Sequence, residues 1–144
     1  MALSESQIER YSRHILLPDV GGRGQRRLLE ASAQIEITEG GGAQVVALAY
    51  LAAAGVGGLV LGGDSRGAVT GNDVRIGILY AQRDIGRPRI DALSERLRAI
   101  NPDVEVTDDG SAEPIHIAEP SDDVAAALVL GGAAALQFVA RIAR

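Results

Sequence analysis

The first thirty residues carry the polar and apolar spacing of short helices. Ser4-Glu5-Ser6-Gln7 has the form of a capping box and predicts a helix from Glu5 towards Leu16, which Pro18 ends. A second short helix is predicted over Gln25–Glu30. Residues 1–30 are therefore expected to form a helical arm in front of the rest of the chain.

Beyond the arm, apolar positions first alternate and then run together. The alternation of Gln34–Thr38 predicts a strand, and the glycines of Gly40–Gly42 predict a turn. Val45–Ala54 has almost no polar side chain and predicts a helix, after which Leu59–Leu61 predicts a second strand. Glu36 places a charge on a strand face that a doubly covered parallel strand keeps apolar.

The remaining chain alternates helices and strands. Gly62–Ala81 has no clear period and is predicted to be mostly loop. The further predicted elements, in chain order, are the helix Arg89–Ile100, the strands Val104–Val106, Ile115–Ile117 and Ala127–Leu130, and the helix Ala133–Ala143. This order predicts one α/β domain over residues 1–144. Its core, residues 31–144, is expected to hold a mostly parallel sheet with helices on both faces.

Composition and charge exclude several classes of function. Of the 144 residues, 47% are hydrophobic, enough for one sizeable core. The chain has no cysteine, which excludes a disulfide framework, a thiolate metal site and a catalytic thiol. It also has no lysine, and its net charge of −5 argues against a nucleic-acid binder. The two histidines, His14 and His116, lack companion ligands, so we expect no metal site.

The uncharged run Gly40–Gly63 is long enough to raise the question of a membrane span. Five glycines between Gly55 and Gly63 divide it into an apolar helix, a turn and a short strand, which favours a soluble protein. The N-terminal residues MALSESQIER contain no basic and apolar leader. We therefore expect a cytoplasmic protein with no membrane partner.

Five motifs occur in an order that indicates a family. They are RYSRHILLP at 10–18, GQRRLL at 24–29, YLAAAGVG at 50–57, IGRP at 85–88 and RLRAINPDV at 96–104. Together they resemble the ThiF/MoeB/HesA family, the bacterial relatives of ubiquitin-activating enzymes. The resemblance implies a Rossmann-like fold and a dimer that uses Mg-ATP to adenylate the C-terminal glycine of a small ubiquitin-like sulfur carrier. It covers only the nucleotide-binding half of that family.

The resemblance also assigns a nucleotide-binding turn, which is altered here. Gly40, Gly41 and Gly42 correspond to the inner part of the family's Gly-x-Gly-Gly-x-Gly. The outer glycines of that motif are replaced by Glu39 and Gln44. A carboxylate at this turn repels a triphosphate, and a side chain at the last position crowds the approach of phosphate to the helix.

By the same resemblance, four further positions carry ribose-binding, catalytic and phosphate-binding side chains. Asp64 keeps one acid of an Asp-x-Asp, and Asn72 and Arg75 match an Asn-x-x-Arg. Arg89 lies where the family has a phosphate-binding lysine. An arginine in a first helical turn opposes the helix dipole, which favours an anion or an acid nearby. The alternative is that all four are ordinary loop or surface residues.

Two more positions bear on catalysis. The strand end that carries Asp-x-x-Asp in the family reads Leu130-Gly131-Gly132-Ala133-Ala134, so the implied magnesium support is missing. Arg13 matches the arginine that the family lends to the nucleotide site of a neighbouring subunit. Arg10 and Arg13 also fit a solvated basic stripe on one helix face.

Three hypotheses follow. The first is a catalytically degenerate homologue, without a cofactor, that acts by contact as a homodimer or as the non-catalytic partner of an active adenylyltransferase or sulfur-carrier system, to which it lends Arg13. The second is a working adenylyltransferase in which Asp64, Asn72, Arg75 and Arg89 converge on Mg-ATP. The third is a small-molecule binding module that reuses the crevice at the glycine turn. Because Val45–Ala54 and the last helix are apolar nearly all round, we expect another subunit to cover them.

Overall fold

The computed structural model describes residues 2–118 and 123–144. Its helices are α1 (Glu5–Arg10), α2 (Ser12–Ile15), α3 (Gly21–Glu30), α4 (Gly42–Ala54), α5 (Gly71–Ile76), α6 (Arg89–Ile100) and α7 (Val124–Ala143), with a short 3-10 helix at Gln82–Asp84. Its strands are β1 (Ser32–Ile37), β2 (Gly58–Gly63), β3 (Glu105–Thr107) and β4 (Glu113–Pro114).

The four strands form one parallel sheet in the order β3-β2-β1-β4. Ala33 of β1 lies opposite Leu59 of β2, which lies opposite Val106 of β3. The connections from β1 to β2 and from β2 to β3 step in the same direction across the sheet. When two such connections are both right-handed, their helices lie on the same face of the sheet. Accordingly α4 packs against α6, and α7 packs against α4. The prediction of an α/β domain with a parallel sheet flanked by helices is confirmed.

The two faces of β1 differ in polarity. Ala33, Ile35 and Ile37 are buried in the core, whereas Glu36 between them is exposed. The Gln34 side-chain amide donates a hydrogen bond to Glu36 Oε1 at 3.1 Å on this second face. The charge that the sequence places on β1 is thus satisfied by a polar neighbour on the same strand.

The C-terminal helix α7 replaces two predicted elements. Ala127–Leu130, predicted as a strand, is helical, because the glycines that follow it do not end the helix. Gly131 is instead a close contact between helices: a Cβ at this position would collide with the Ala43 carbonyl oxygen and lie 2.7 Å from Val46 Cβ. The absence of a side chain therefore lets α7 lie directly on α4.

This packing also corrects the expectation that another subunit covers α4. Residues 42–48, Leu51 and Ala52 are all buried within the chain, with α7 lying along them. Among the described residues, α7 is also the one helix long and apolar enough to cross a membrane by length and composition. Its inner side packs on α4 and α3, and its outer side is open.

Two other elements differ from the sequence prediction. The segment predicted as loop contains α5, which begins with a capping box formed by Thr70 and Asp73. The short strand predicted at Ile115–Ile117 lies two residues earlier, at β4. In both cases a brief element lacks enough residues to show a period.

A buried polar network fastens the arm to the core. The Tyr11 hydroxyl donates to Asp103 Oδ2 at 2.8 Å and accepts a hydrogen bond from Asn101 Nδ2 at 2.7 Å. Asn101 Nδ2 also donates to the Ala52 carbonyl, at the end of α4. The motif residues at the start of the chain thus contact those that end α6.

We expect Gly131→Ala to lower the free energy of unfolding by about 1–3 kcal/mol, because the added Cβ forces α7 away from α4. Alanine's better helix propensity offsets only part of this loss. In Gly22→Ala, the matched control in α3, the added Cβ meets no atom within 4 Å. Urea denaturation followed by circular dichroism compares the two variants, and equal effects would contradict the close packing.

Candidate functional site

The turn between β1 and α4 lies at the carboxyl end of a parallel strand, where this class of fold binds ligands. Gly40 has a φ of +68°, a conformation that favours glycine. Gly41 caps α4 without a side-chain hydrogen bond. The turn therefore keeps the local backbone form of an anion-binding loop.

The donors of this turn are satisfied by the chain itself. The Gly40 N–H donates to Asp73 Oδ1 at 2.8 Å. Asp73 is buried at the start of α5, and its Oδ2 accepts the Thr70 N–H at 2.8 Å and Arg89 Nε at 3.0 Å. A carboxylate of the protein thus occupies the position of an anion at the glycine turn.

Arg89 is the cation of this cluster and is only 2% exposed. Besides Asp73, it bonds Asp64, with 2.8 Å between Arg89 Nη1 and Asp64 Oδ2. Burial alone would lower the pKa of Arg89, but the two carboxylates raise that pKa above its ordinary value, so the guanidinium is charged. The surface position that the sequence also allowed for this arginine is therefore wrong.

The side chains of Glu39 and Gln44, which replace the outer glycines, also contact other residues of the chain. Glu39 Oε1 accepts hydrogen bonds from Thr70 Oγ1 at 2.9 Å and from Asn72 Nδ2 at 3.1 Å. Gln44 lies over the turn, with its Oε1 only 2.6 Å from where a Cβ of Gly41 would be. That oxygen is buried and has no partner among the described residues.

An apolar side chain fills the space that remains. Two methyl carbons of Ile76, at the end of α5, lie 2.7 Å from the position of a Cβ on Gly42. The cavity between the turn, Asp73 and Ile76 measures about 10 Å³, room for about one water molecule. Small-molecule sites in proteins usually span several hundred Å³.

The structure brings together only part of the predicted site. Asp64 bonds Arg89, and Arg89 is linked to the glycine turn by its bond to Asp73. Asn72 donates a hydrogen bond to Glu39, the residue before the turn. Arg75 is exposed on α5, and Arg13 is exposed on α2 in the arm. The described part of the chain contains no group of three side chains able to hold a metal.

The sequence analysis missed Asp73, the central acid of the cluster. The signal available for it was the Thr-x-x-Asp spacing of Thr70 and Asp73, which indicates a helix start. That spacing predicts the local cap but not the contact with Arg89. The segment Leu130–Ala134, matched to a strand end of the family, lies inside α7 instead.

We expect Asp73→Ala to lower the free energy of unfolding by about 3–5 kcal/mol, because it leaves a buried guanidinium and the Gly40 N–H without their acceptor. The control is Asp64→Ala, which removes a carboxylate from the same guanidinium. Because Asp64 is 65% exposed, its loss is expected to cost less than about 1 kcal/mol. Chemical denaturation measures both values, and similar losses would refute the central role of Asp73.

Comparison with known proteins identifies relatives of this chain. The ThiF family model matches residues 11–122, so the match ends before α7. The chain is 37% identical over 106 residues to SAMP-activating enzyme E1 of Haloferax volcanii. This match covers 74% of this chain and 38% of the relative. It is also 40% identical over 124 residues to Protein HesA, heterocyst, of Trichormus variabilis. This match covers 85% of this chain and 42% of the relative.

A third relative is the Sulfur carrier protein ThiS adenylyltransferase of Escherichia coli, 39% identical over 105 residues, with 73% of this chain and 40% of the relative covered. The chain thus spans about two fifths of the length of the curated relatives it matches. Among solved structures, PaaA matches with a TM-score of 0.63 and 28% identity over 83% of this chain and 39% of its own. Escherichia coli TcdA in complex with ATP matches with a TM-score of 0.64 and 23% identity, and the match covers 76% of this chain and 43% of TcdA. This similarity shows a shared fold.

Proposed function

The chain belongs to the ThiF family, and we propose that it is a catalytically degenerate member that acts through protein contact rather than through Mg-ATP. The observation that carries the proposal is the hydrogen bond from the Gly40 N–H to Asp73, whose carboxylate is paired with Arg89. The groups suited to bind phosphate are bound to acids of the same chain.

A triphosphate does not fit these residues as they are arranged. Arg89 reaches a phosphate only by leaving Asp73 unpaired in the interior, which is costly. Asp73 and Glu39 add negative charge beside the turn, and Ile76 fills the space over Gly42.

The arm supports a role in contact with another protein. Arg13 is exposed on α2, away from the closed turn. In the family resemblance this position serves the nucleotide site of a neighbouring subunit. One relative is named a sulfur carrier protein adenylyltransferase. We propose an active enzyme of that kind, or its small sulfur carrier, as a partner of this chain.

Calorimetric titration with Mg-ATP is the direct test. We expect no heat of binding up to millimolar nucleotide, with the Escherichia coli ThiS adenylyltransferase as the positive control. Binding in the micromolar range would overturn the proposal. It would instead support a working adenylyltransferase in which Asp64, Asn72, Arg75 and Arg89 rearrange around the nucleotide.

The role in trans is tested by mixing the chain with an active family member and the sulfur carrier protein whose C-terminal glycine that enzyme adenylates, and measuring carrier-dependent ATP–pyrophosphate exchange. We expect the chain to stimulate exchange, and Arg13→Ala to reduce that stimulation at least about tenfold, because a donor to the transition state is lost. Arg23→Ala, another exposed arginine of the arm, is the control. Equal behaviour of the two variants would contradict the role of Arg13.

A further inference from the structure

A cavity lies between the helical arm and the end of α7. It measures about 420 Å³, which is within the size range of small-molecule sites in proteins. Ala54, the last residue of α4, forms part of its wall, whereas the glycine turn lies at the start of α4. Because α4 has 13 residues, its two ends are about 18 Å apart, so the cavity is well separated from the closed turn.

The walls of the cavity are mostly apolar and are formed by packed helices. A Cβ on Gly24 of α3 would lie 2.8 Å from the Ala143 carbonyl oxygen, so α3 and the end of α7 are in direct contact. Leu28 and Ala143 are buried in the wall, whereas Leu17 and Leu136 are more than half exposed and lie at its rim. The cavity therefore requires α7, which lies outside the residues that the family model matches.

His14 is a polar group of the wall, and its ring is held in one orientation. The ring stacks on Tyr11, and its Nδ1 lies 3.0 Å from Gln25 Oε1. Gln25 Nε2 donates to the Ala54 carbonyl at 3.1 Å, so the amide oxygen of Gln25 faces the ring and His14 Nδ1 carries the proton. In the neutral ring, Nε2 is then a hydrogen-bond acceptor, and no described residue donates to it.

Two opposite charges also line the cavity. Asp19 belongs to the arm, Arg144 follows α7, and both side chains are exposed. Neither of them forms an ion pair with another residue in the described part of the chain. The cavity thus has acceptors on the side of the arm and a cationic donor on the side of α7.

We propose that this cavity binds a free amino acid with a bulky apolar side chain, such as phenylalanine or leucine. Asp19 and His14 Nε2 bind the ammonium group, Arg144 binds the carboxylate, and the apolar walls surround the side chain. An apolar acid without an ammonium group would bring its charge beside Asp19, and an apolar amine would bring its charge beside Arg144. A zwitterion complements both charges.

The inference goes beyond the proposed function and does not depend on it. The cavity shares no lining residue with the space at the glycine turn. Binding of an amino acid is measured without nucleotide, so either proposal can fail while the other stands.

Calorimetric titration of the whole chain with a matched series of ligands is the first test. We expect L-phenylalanine or L-leucine to bind with a dissociation constant below about 1 mM. Phenylpropionate lacks the ammonium group and phenethylamine lacks the carboxylate, so both are expected to bind at least about tenfold more weakly than L-phenylalanine. Absence of heat with both amino acids, or equal binding of all three phenyl compounds, would overturn the inference.

A pair of charge variants tests the recognition of the ammonium group. Asp19→Asn is expected to weaken the binding of the preferred amino acid at least about tenfold without weakening that of phenylpropionate, because only the ammonium group loses a partner. The control is Asp91→Asn, which removes an exposed acid of α6 and is expected to leave both affinities unchanged. Equal amino acid affinities of the two variants would refute the role of Asp19.

A pair of variants in α7 tests the location of the site. Ala140→Phe fills the cavity and is expected to abolish amino acid binding. Ala133→Phe, the control, adds the same side chain at an exposed position of the same helix and is expected to retain binding. Circular dichroism checks that both variants are folded, and unchanged binding by folded Ala140→Phe would contradict this location.

Discussion

The buried ion pair between Arg89 and Asp73 is the interaction on which the candidate site depends. Two charges removed from water are stable only when they are well paired, and here the backbone N–H groups of Gly40 and Thr70 also bind Asp73, while the exposed Asp64 adds a weaker contact to Arg89. The pair joins the start of α6 to the start of α5 and, through Gly40, to the start of α4. The turn is closed by this electrostatic connection between three helices, and Ile76 then packs into the space that is left.

The motifs that carry the family resemblance are in large part structural contacts. Tyr11, Asn101 and Asp103 belong to two motifs about ninety residues apart, and they meet in one hydrogen-bonded network. Gln25, from a third motif, donates to the Ala54 carbonyl and bonds His14. These contacts hold the arm to the core independently of any ligand, which explains how the resemblance coexists with an altered turn.

The sequence predicts the fold better than the site, for identifiable reasons. The amphipathic helix α6 has one apolar side and a proline at its start, so its bounds are predicted correctly. The helix α7 is apolar on two sides, so its period is hidden and part of it resembles a buried strand. Asp73 is placed by tertiary contacts with Arg89 and Gly40, and no local pattern reports a partner sixteen or thirty-three residues away.

The two sides of α7 differ in the substitutions that the folded domain tolerates. The inner side meets the backbone of α4 at Gly131, so only the smallest residues are compatible with the present distance between the helices. Substitutions at Val129 or Leu136 alter the surface without disturbing the buried core. The exposed side of α7 can therefore change in sequence while the domain stays folded, whereas the inner side is restricted to small residues by the distance between the two helices.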